Sequence, residues 1–254
     1  MKWMRFRHQG AEGFGTLVGD RVQCHAGAMF GAAQATGESV AVTDLQWLPP
    51  CQPGKIIGLW NNFRAAAEKN GWATPAEPLY FMKSPGSAAG HGQAVPVPAS
   101  YDGRVAYEGE LAVVIGRQAR AVSVADAPAH IFGYTCANDV TAMELLQRDP
   151  SFPQWTRAKS FDGFCPLGPV IATDFEPSTA QLRTLVGGRE RQNYALADMY
   201  FSPAELVSRI SHDMTLEPGD VILCGTSLGV LPMKAGTTVE VVIDGIGSLL
   251  NTYG

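Results

Sequence analysis

The chain has 254 residues, 46% hydrophobic and 17% charged, a balance that builds a globular core and excludes disorder as the main state. Nineteen Lys and Arg against 24 Asp and Glu give a net charge of −5 with no single-sign block, which excludes the concentrated positive charge that nucleic-acid binding rests on. The longest apolar runs, such as Leu111–Ile115 and Val221–Cys224, fall far short of the roughly 20 residues needed to cross a bilayer, and Met1–Arg7 lacks the apolar stretch of a secretory signal. At roughly 150 residues per domain, the length suits one large domain with a small appendage. Five cysteines, Cys24, Cys51, Cys136, Cys165 and Cys224, are far apart and form no CxxC pair, which argues against structural zinc. Their apolar or Gly-flanked settings predict buried free thiols in a reduced, cytoplasmic protein.

In chain order, residues 1–30 read as short strands. Phe14–Cys24 carries a Gly-Asp turn between two apolar runs, a hairpin signal. A polar, Ala- and Gly-rich stretch follows to about Thr43, and the proline-rich hinge Leu48–Gly54 places a domain boundary between residues 52 and 53. Lys55–Trp60 is a buried strand pattern, Asn62–Asn70 a helix ended by Gly71, and Leu79–Met82 another strand. Residues 84–103 form a long loop rich in Gly, Pro, Ser and Ala. Strand signals then recur at Leu111–Ile115, Ile131–Thr135, Val170–Ala172, Gln181–Val186, Val221–Cys224 and Thr238–Ile243. Short helices are expected at Ala125–His130, before Met143–Arg148 and at Pro203–His212. Strands outnumber helices and turns separate several of them, so the fold class is α+β and β-rich rather than a doubly wound sheet.

The segment richest in chemistry is Tyr107-Glu-Gly-Glu-Leu-Ala-Val-Val-Ile-Gly. Glu108 and Glu110 are two apart at the start of an apolar strand and share a face. Adjacent carboxylates raise each other's pKa unless a positive charge lies between them, and oxygen-only ligands suit Mg²⁺, Mn²⁺ or Ca²⁺. The same spacing also fits two surface acids on a solvated edge. Asp139, directly after the apolar run Ile131–Cys136, is a third carboxylate that could complete a metal site, or an N-cap for a following helix. Lys159, in what reads as a packed loop among aromatics, glycine and proline, would offset the excess negative charge and bind an enolate or a carboxylate; it also reads as a surface lysine. A strand running into Gly225-Thr226-Ser-Leu-Gly offers backbone N–H groups and hydroxyls to an anion, or is an ordinary turn. It lacks the Gly-Lys-Ser/Thr element of a P-loop.

Taken in order, Tyr107–Gly116, Phe132–Ala142, Ala158–Pro169, Phe201–Leu206, Met214–Ile222 and Gly225-Thr226 resemble the fumarylacetoacetate hydrolase family, from about Lys55 to the C-terminus. The first 50 residues resemble the family's small leading segment more loosely. The resemblance implies a mixed β-roll catalytic domain over 53–254, a homodimer, and Mg²⁺ or Mn²⁺ held by Glu108, Glu110 and Asp139. It places the family's substrate-binding lysine at Lys159 and the turn that contacts the substrate carboxylate at Gly225 and Thr226. It implies small 2-oxo acids and their enols as substrates, such as acylpyruvates and products of aromatic ring cleavage. The implied reactions pass through an enolate: C–C hydrolysis, enol–keto isomerisation or decarboxylation. Two departures stand out. Hydrolytic relatives carry a motif like Asn-Tyr-x-x-His-x-x-Glu whose His and Glu activate water; here Ala66 and Lys69 stand in those places, one residue from Glu68. Many relatives have an arginine where this chain has Met143. Other candidates for the base are His91 and His212, with Arg64 and Glu68 near the missing pair. The alternative is a catalytically impaired member that binds a small acid and metal without turnover.

Overall fold

A computed structural model describes residues 1–254 of the protein. Its strands and helices, in chain order, are β1 (Lys2–His8), β2 (Ala11–Val18), β3 (Arg21–Ala26), β4 (Gln34–Ala41), β5 (Ile56–Trp60), α1 (Arg64–Asn70), β6 (Leu79–Lys83), β7 (Gly109–Ile115), β8 (Ile131–Asn138), α2 (Trp155–Lys159), β9 (Cys165–Ala172), β10 (Gln181–Val186), β11 (Arg189–Ala195), α3 (Pro203–Asp213), β12 (Val221–Leu223), β13 (Thr237–Ile243) and β14 (Gly247–Tyr253). Two-residue strands and single 3₁₀ turns fill the connections.

The main sheet runs β4-β3-β2-β1-β9-β8-β7-β12-β5-β6, and a second sheet runs β11-β10-β13-β14. Most pairs are antiparallel, but β12 and β5 are parallel, so the main sheet is mixed. The β-rich α+β expectation holds. The Gly-Asp turn closes the β2–β3 hairpin as predicted, with Val18 opposite Arg21. β1 pairs with β9, which joins the N-terminal strands to the main sheet.

β7 is buried along its whole length. A central strand covered on both faces needs apolar side chains on both, and its two faces feed different cores. Leu111, Val113 and Ile115 enter the largest cluster with Ile57, Leu59, Phe63 and Ile222. Ala112 and Val114 enter another with Ile56, Ala137, Cys165 and Leu223. Glu110 shares the second face, so an acid occupies a strand position otherwise given to hydrophobes.

The helices end for local reasons. Gly71 takes a left-handed φ of 67° that suits glycine and closes α1. Ser202 and Glu205 form a reciprocal capping box at the start of α3, with Pro203 in its first turn. The helices expected at Ala125–His130 and near Met143 are only 3₁₀ turns, at Ala127–His130 and Met143–Leu145. Four cysteines are buried and Cys24 is half-buried, all five as free thiols. Burial pushes Cys51, Cys136 and Cys165 up to about 12, so these thiols stay protonated and are poor nucleophiles. No helix is long and apolar enough to cross a membrane.

Candidate active site

Glu108 lies just before β7 and Glu110 is the second residue of the strand; Asp139 follows the last residue of β8. The two strand ends are tied together. The Asp139 N–H donates to the Glu108 carbonyl at 2.8 Å, and the Glu108 N–H donates to Asn138 Oδ1 at 2.9 Å. One carboxylate oxygen from each of Glu108, Glu110 and Asp139 lies within 4.8 Å of the others. Asp139 therefore faces the glutamates rather than capping a helix. The glycine between the glutamates is required by packing: a Cβ on Gly109 would stand 2.1 Å from Thr184 Oγ1, on the side facing the second sheet.

Two ammonium groups enter the cluster. Lys159 is not in a loop, as its sequence context suggested, but at the C-terminal end of α2, where its Nζ donates to Glu108 Oε2 at 2.8 Å and Asp139 Oδ2 at 2.6 Å. An ammonium has three N–H donors, so one remains without a protein partner. The same nitrogen sits 5.1 Å from the centre of the Phe81 ring. Lys83, the last residue of β6, was not singled out in the sequence. Its fully buried Nζ donates to Asp139 Oδ1 at 2.5 Å, to the Phe164 carbonyl at 3.0 Å and to the Lys159 carbonyl. All three of its donors are used, so Lys83 fixes the site and has nothing left for a ligand. The signal for it was weak, a single lysine closing an otherwise apolar strand.

The electrostatics follow from burial. Loss of water, with Asp139 and Glu108 beside it, pushes the Glu110 carboxyl well above the usual carboxylate range. Burial also opposes ionisation of Asp139, but Lys159 and Lys83 outweigh it and hold that carboxyl below its ordinary value. Burial likewise disfavours the Lys159 ammonium, yet Asp139 and Glu108 raise its pKa, so it stays a cation. With all three carboxylates ionised, as a bound dication would require, they and the two ammonium groups sum to one negative charge.

Gly225 and Thr226 lie beside this cluster. The Gly225 N–H donates to Glu110 Oε2 at 2.7 Å, and Gly225 has a left-handed φ of 89°. Thr226 Oγ1 donates to the Gly109 carbonyl at 3.0 Å and accepts from Gln192 Nε2 at 2.8 Å. The other oxygen, Glu110 Oε1, is buried with no hydrogen-bond partner. A lone buried carboxylate oxygen aimed among other acid oxygens is what a hard divalent cation would satisfy, so the residues present fit Mg²⁺ or Mn²⁺.

None of the candidates for a base is a member of the acid cluster. Ala66 is packed into the largest core cluster, and Lys69 is exposed. His91 accepts from the Leu250 N–H at 3.2 Å and lies 5.1 Å from Trp47, ring centre to ring centre. His212 is paired with the Ser208 carbonyl one helical turn back. A cavity of about 780 Å³ is lined by Arg64, Tyr134, Phe175, Tyr200 and Glu205 among others, and includes none of the three acids.

The fumarylacetoacetate (FAA) hydrolase C-terminal family model matches residues 55–253, and a model described as Rv2993c-like, N-terminal, matches residues 1–50. An oxaloacetate tautomerase of Bacillus subtilis, YisK, is 39% identical over 81% of this chain and 72% of its own. The crystal structure of a 5-carboxymethyl-2-hydroxymuconate delta-isomerase from Mycobacterium smegmatis superposes with a TM-score of 0.92 at 38% identity, covering 100% of this chain and 99% of that one. A maleylpyruvate hydrolase from Sphingobium, solved with manganese(II) and pyruvate, superposes with a TM-score of 0.82 at 25% identity, covering 100% and 98%.

Proposed function

Because this chain belongs to the fumarylacetoacetate hydrolase family, we propose that it is a divalent-metal-dependent enzyme interconverting the enol and keto forms of a small 2-oxo acid. The observation that carries this reading is the cluster of Glu108, Glu110 and Asp139, with an unpartnered Glu110 oxygen, against a lysine that keeps one N–H free. A divalent cation held by these three acids supplies Lewis acidity, polarising the 2-oxo group and lowering the cost of an enolate.

The chain's own residues do the rest. Lys159 directs its remaining N–H to the oxygen on which enolate charge develops, as a fixed donor that needs no reorganisation. Lys83 holds Asp139 and the end of α2, and through them the position of Lys159. With a dication added, the cluster carries one net positive charge, which suits a 2-oxo carboxylate anion. Gly225 and Thr226, seated against Glu110 and Gly109, bound the substrate's carboxylate end. Hydrolysis needs in addition a base that activates water. Ala66 in the core and Lys69 in solvent supply none, and this favours isomerisation over C–C cleavage. The likeness to a maleylpyruvate hydrolase keeps hydrolysis as the second reading. The family membership also supports a homodimer.

The test is proton exchange in D₂O at the carbon next to the keto group, with Mg²⁺ or Mn²⁺ and a panel of acylpyruvates and oxaloacetate, read by product mass. Metal-dependent exchange without gain of water or loss of CO₂ is expected. Cleavage of acetylpyruvate with kcat in the ordinary range of about 1–10³ s⁻¹ establishes the hydrolase instead. Metal binding without exchange on any of these acids would mean a binding protein.

A further inference from the structure

The strand register places an aromatic wall beside the cluster. Gly58 of β5 lies opposite Phe81 of β6 and Leu223 of β12, and Leu223 lies opposite Ala112 of β7. Two residues along each strand share a face, so Trp60, Phe81, Lys83 and Glu110 project from the same side of the main sheet. The end of β5 abuts the Gly225 turn, since a Cβ on Gly225 would stand 3.4 Å from the Leu59 carbonyl. On α2, Trp155 and Lys159 are four apart and therefore on one helical face.

The rings form a chain. Lys159 Nζ faces Phe81; Phe81 stacks on Trp155 at 5.1 Å and 22°; Trp155 meets Trp60 edge-on at 6.3 Å; Trp60 contacts Trp72 at 4.9 Å. Trp60 and Trp155 are half-buried and Trp72 is 39% exposed, so the wall runs from the buried ammonium to solvent. No arginine or lysine stacks on these tryptophans. Arg157, the nearest cation along α2, turns to Gln154 at 3.3 Å.

We infer that Trp60 and Trp155 form the subsite for the end of the substrate remote from its 2-oxo acid head, and that this end is an uncharged planar group, an aryl or extended alkenyl substituent, rather than a second carboxylate. The inference rests on the proposed 2-oxo acid chemistry at the acid cluster. A planar unsaturated group gains both apolar burial and ring-to-ring contact against tryptophan, whereas a carboxylate there would gain neither and would meet no cation stacked on the tryptophan faces. Conjugation with an aryl group also stabilises the enol that the site is proposed to handle.

The test compares metal-dependent ketonisation of enol-phenylpyruvate and enol-oxaloacetate, followed by loss of enol absorbance. In the wild type, kcat/KM for the aryl acid is expected to exceed that for the diacid by about tenfold or more, the equivalent of one buried ring contact with its apolar area. Trp155→Ala and Trp60→Ala each lower that ratio by about tenfold; Trp155→Leu carries the measurement if Trp155→Ala does not fold. A diacid used as well as or better than the aryl acid by the wild type, or an unchanged ratio in both positions' variants, overturns the assignment. Should neither acid turn over, the enzymatic reading falls alone. Calorimetric titration then decides the wall: tighter binding of phenylpyruvate than of oxaloacetate supports it, and equal or weaker binding overturns it.

Discussion

Replacing Lys83 by methionine removes a buried ammonium while nearly preserving its volume, so the change isolates charge and hydrogen bonding from packing. In the native structure this ammonium serves Asp139, the Phe164 carbonyl and the Lys159 carbonyl, and both members of the Lys83–Asp139 pair are essentially inaccessible to water. Removing it leaves Asp139 Oδ1 and two backbone carbonyls without their donor, while Lys159 still pairs with Oδ2, and losing one partner of a buried ion pair costs about 3–5 kcal/mol. For a chain of this size each kcal/mol moves Tm by about 2–4 °C, so Lys83→Met should lower Tm by about 6–20 °C. The assay is thermal or urea unfolding of metal-free protein, followed by circular dichroism. Because Lys83 has no donor to spare, metal-loaded Lys83→Met should lose kcat through the displaced Asp139 and Lys159, not through a lost substrate contact. A destabilisation below about 1 kcal/mol would refute the reasoning, since it would mean that the ammonium is solvated or that Lys159 alone satisfies Asp139.

Gly109→Ala forces a methyl to within 2.1 Å of Thr184 Oγ1. Overpacking of this kind costs about 1–3 kcal/mol, and unfolding should show it together with weaker metal binding, because Gly109 separates the two glutamates. Glu110 gives a pH signature in metal-free protein: its folded pKa is raised, so its contribution to stability is present below its unfolded value of about 4.3 and is lost as pH rises through the folded one. The stability of the wild type relative to Glu110→Gln should therefore fall with rising pH in urea titrations with chelator, and a flat difference would contradict the burial argument. Asp139, whose pKa is lowered, acts in the opposite sense, its contribution being lost as pH falls through its folded value. Sedimentation at micromolar concentration should give a dimer of the 27.1 kDa chain; a particle of one chain's mass would remove the homodimer from the account.

Much of the fold could be read from local pattern. β6, β7, β10, β12 and β13 carry apolar or β-branched runs, and each emerges within a few residues of its expected span. β11 was missed because Arg189–Ala195 is mostly polar and exposed; it is a strand because β10 pairs with it. β4 is likewise a polar strand, held by β3. α2 spans only five residues, too few for a helical period to show. The acid cluster was legible because Glu-x-Glu fixes a shared face in any strand. Lys83 was not, because its place depends on the packing of β6 against α2, which links residues 76 apart in sequence. The aromatic wall was hidden for the same reason: Trp60, Phe81 and Trp155 lie far apart in the chain and meet only through the pairing of β5 with β6 and the packing of α2 against β6.

The account stands on the three acids holding one divalent cation, and Mn²⁺ binding, counted by the loss of the free-ion electron paramagnetic resonance signal, measures this without reference to any substrate. One Mn²⁺ per wild-type chain is predicted, displaceable by Mg²⁺, with binding weakened at least about tenfold in both Glu110→Gln and Asp139→Asn, in line with the loss of a metal-site interaction. Unchanged affinity and stoichiometry in both variants, with their folds intact by circular dichroism, would contradict it.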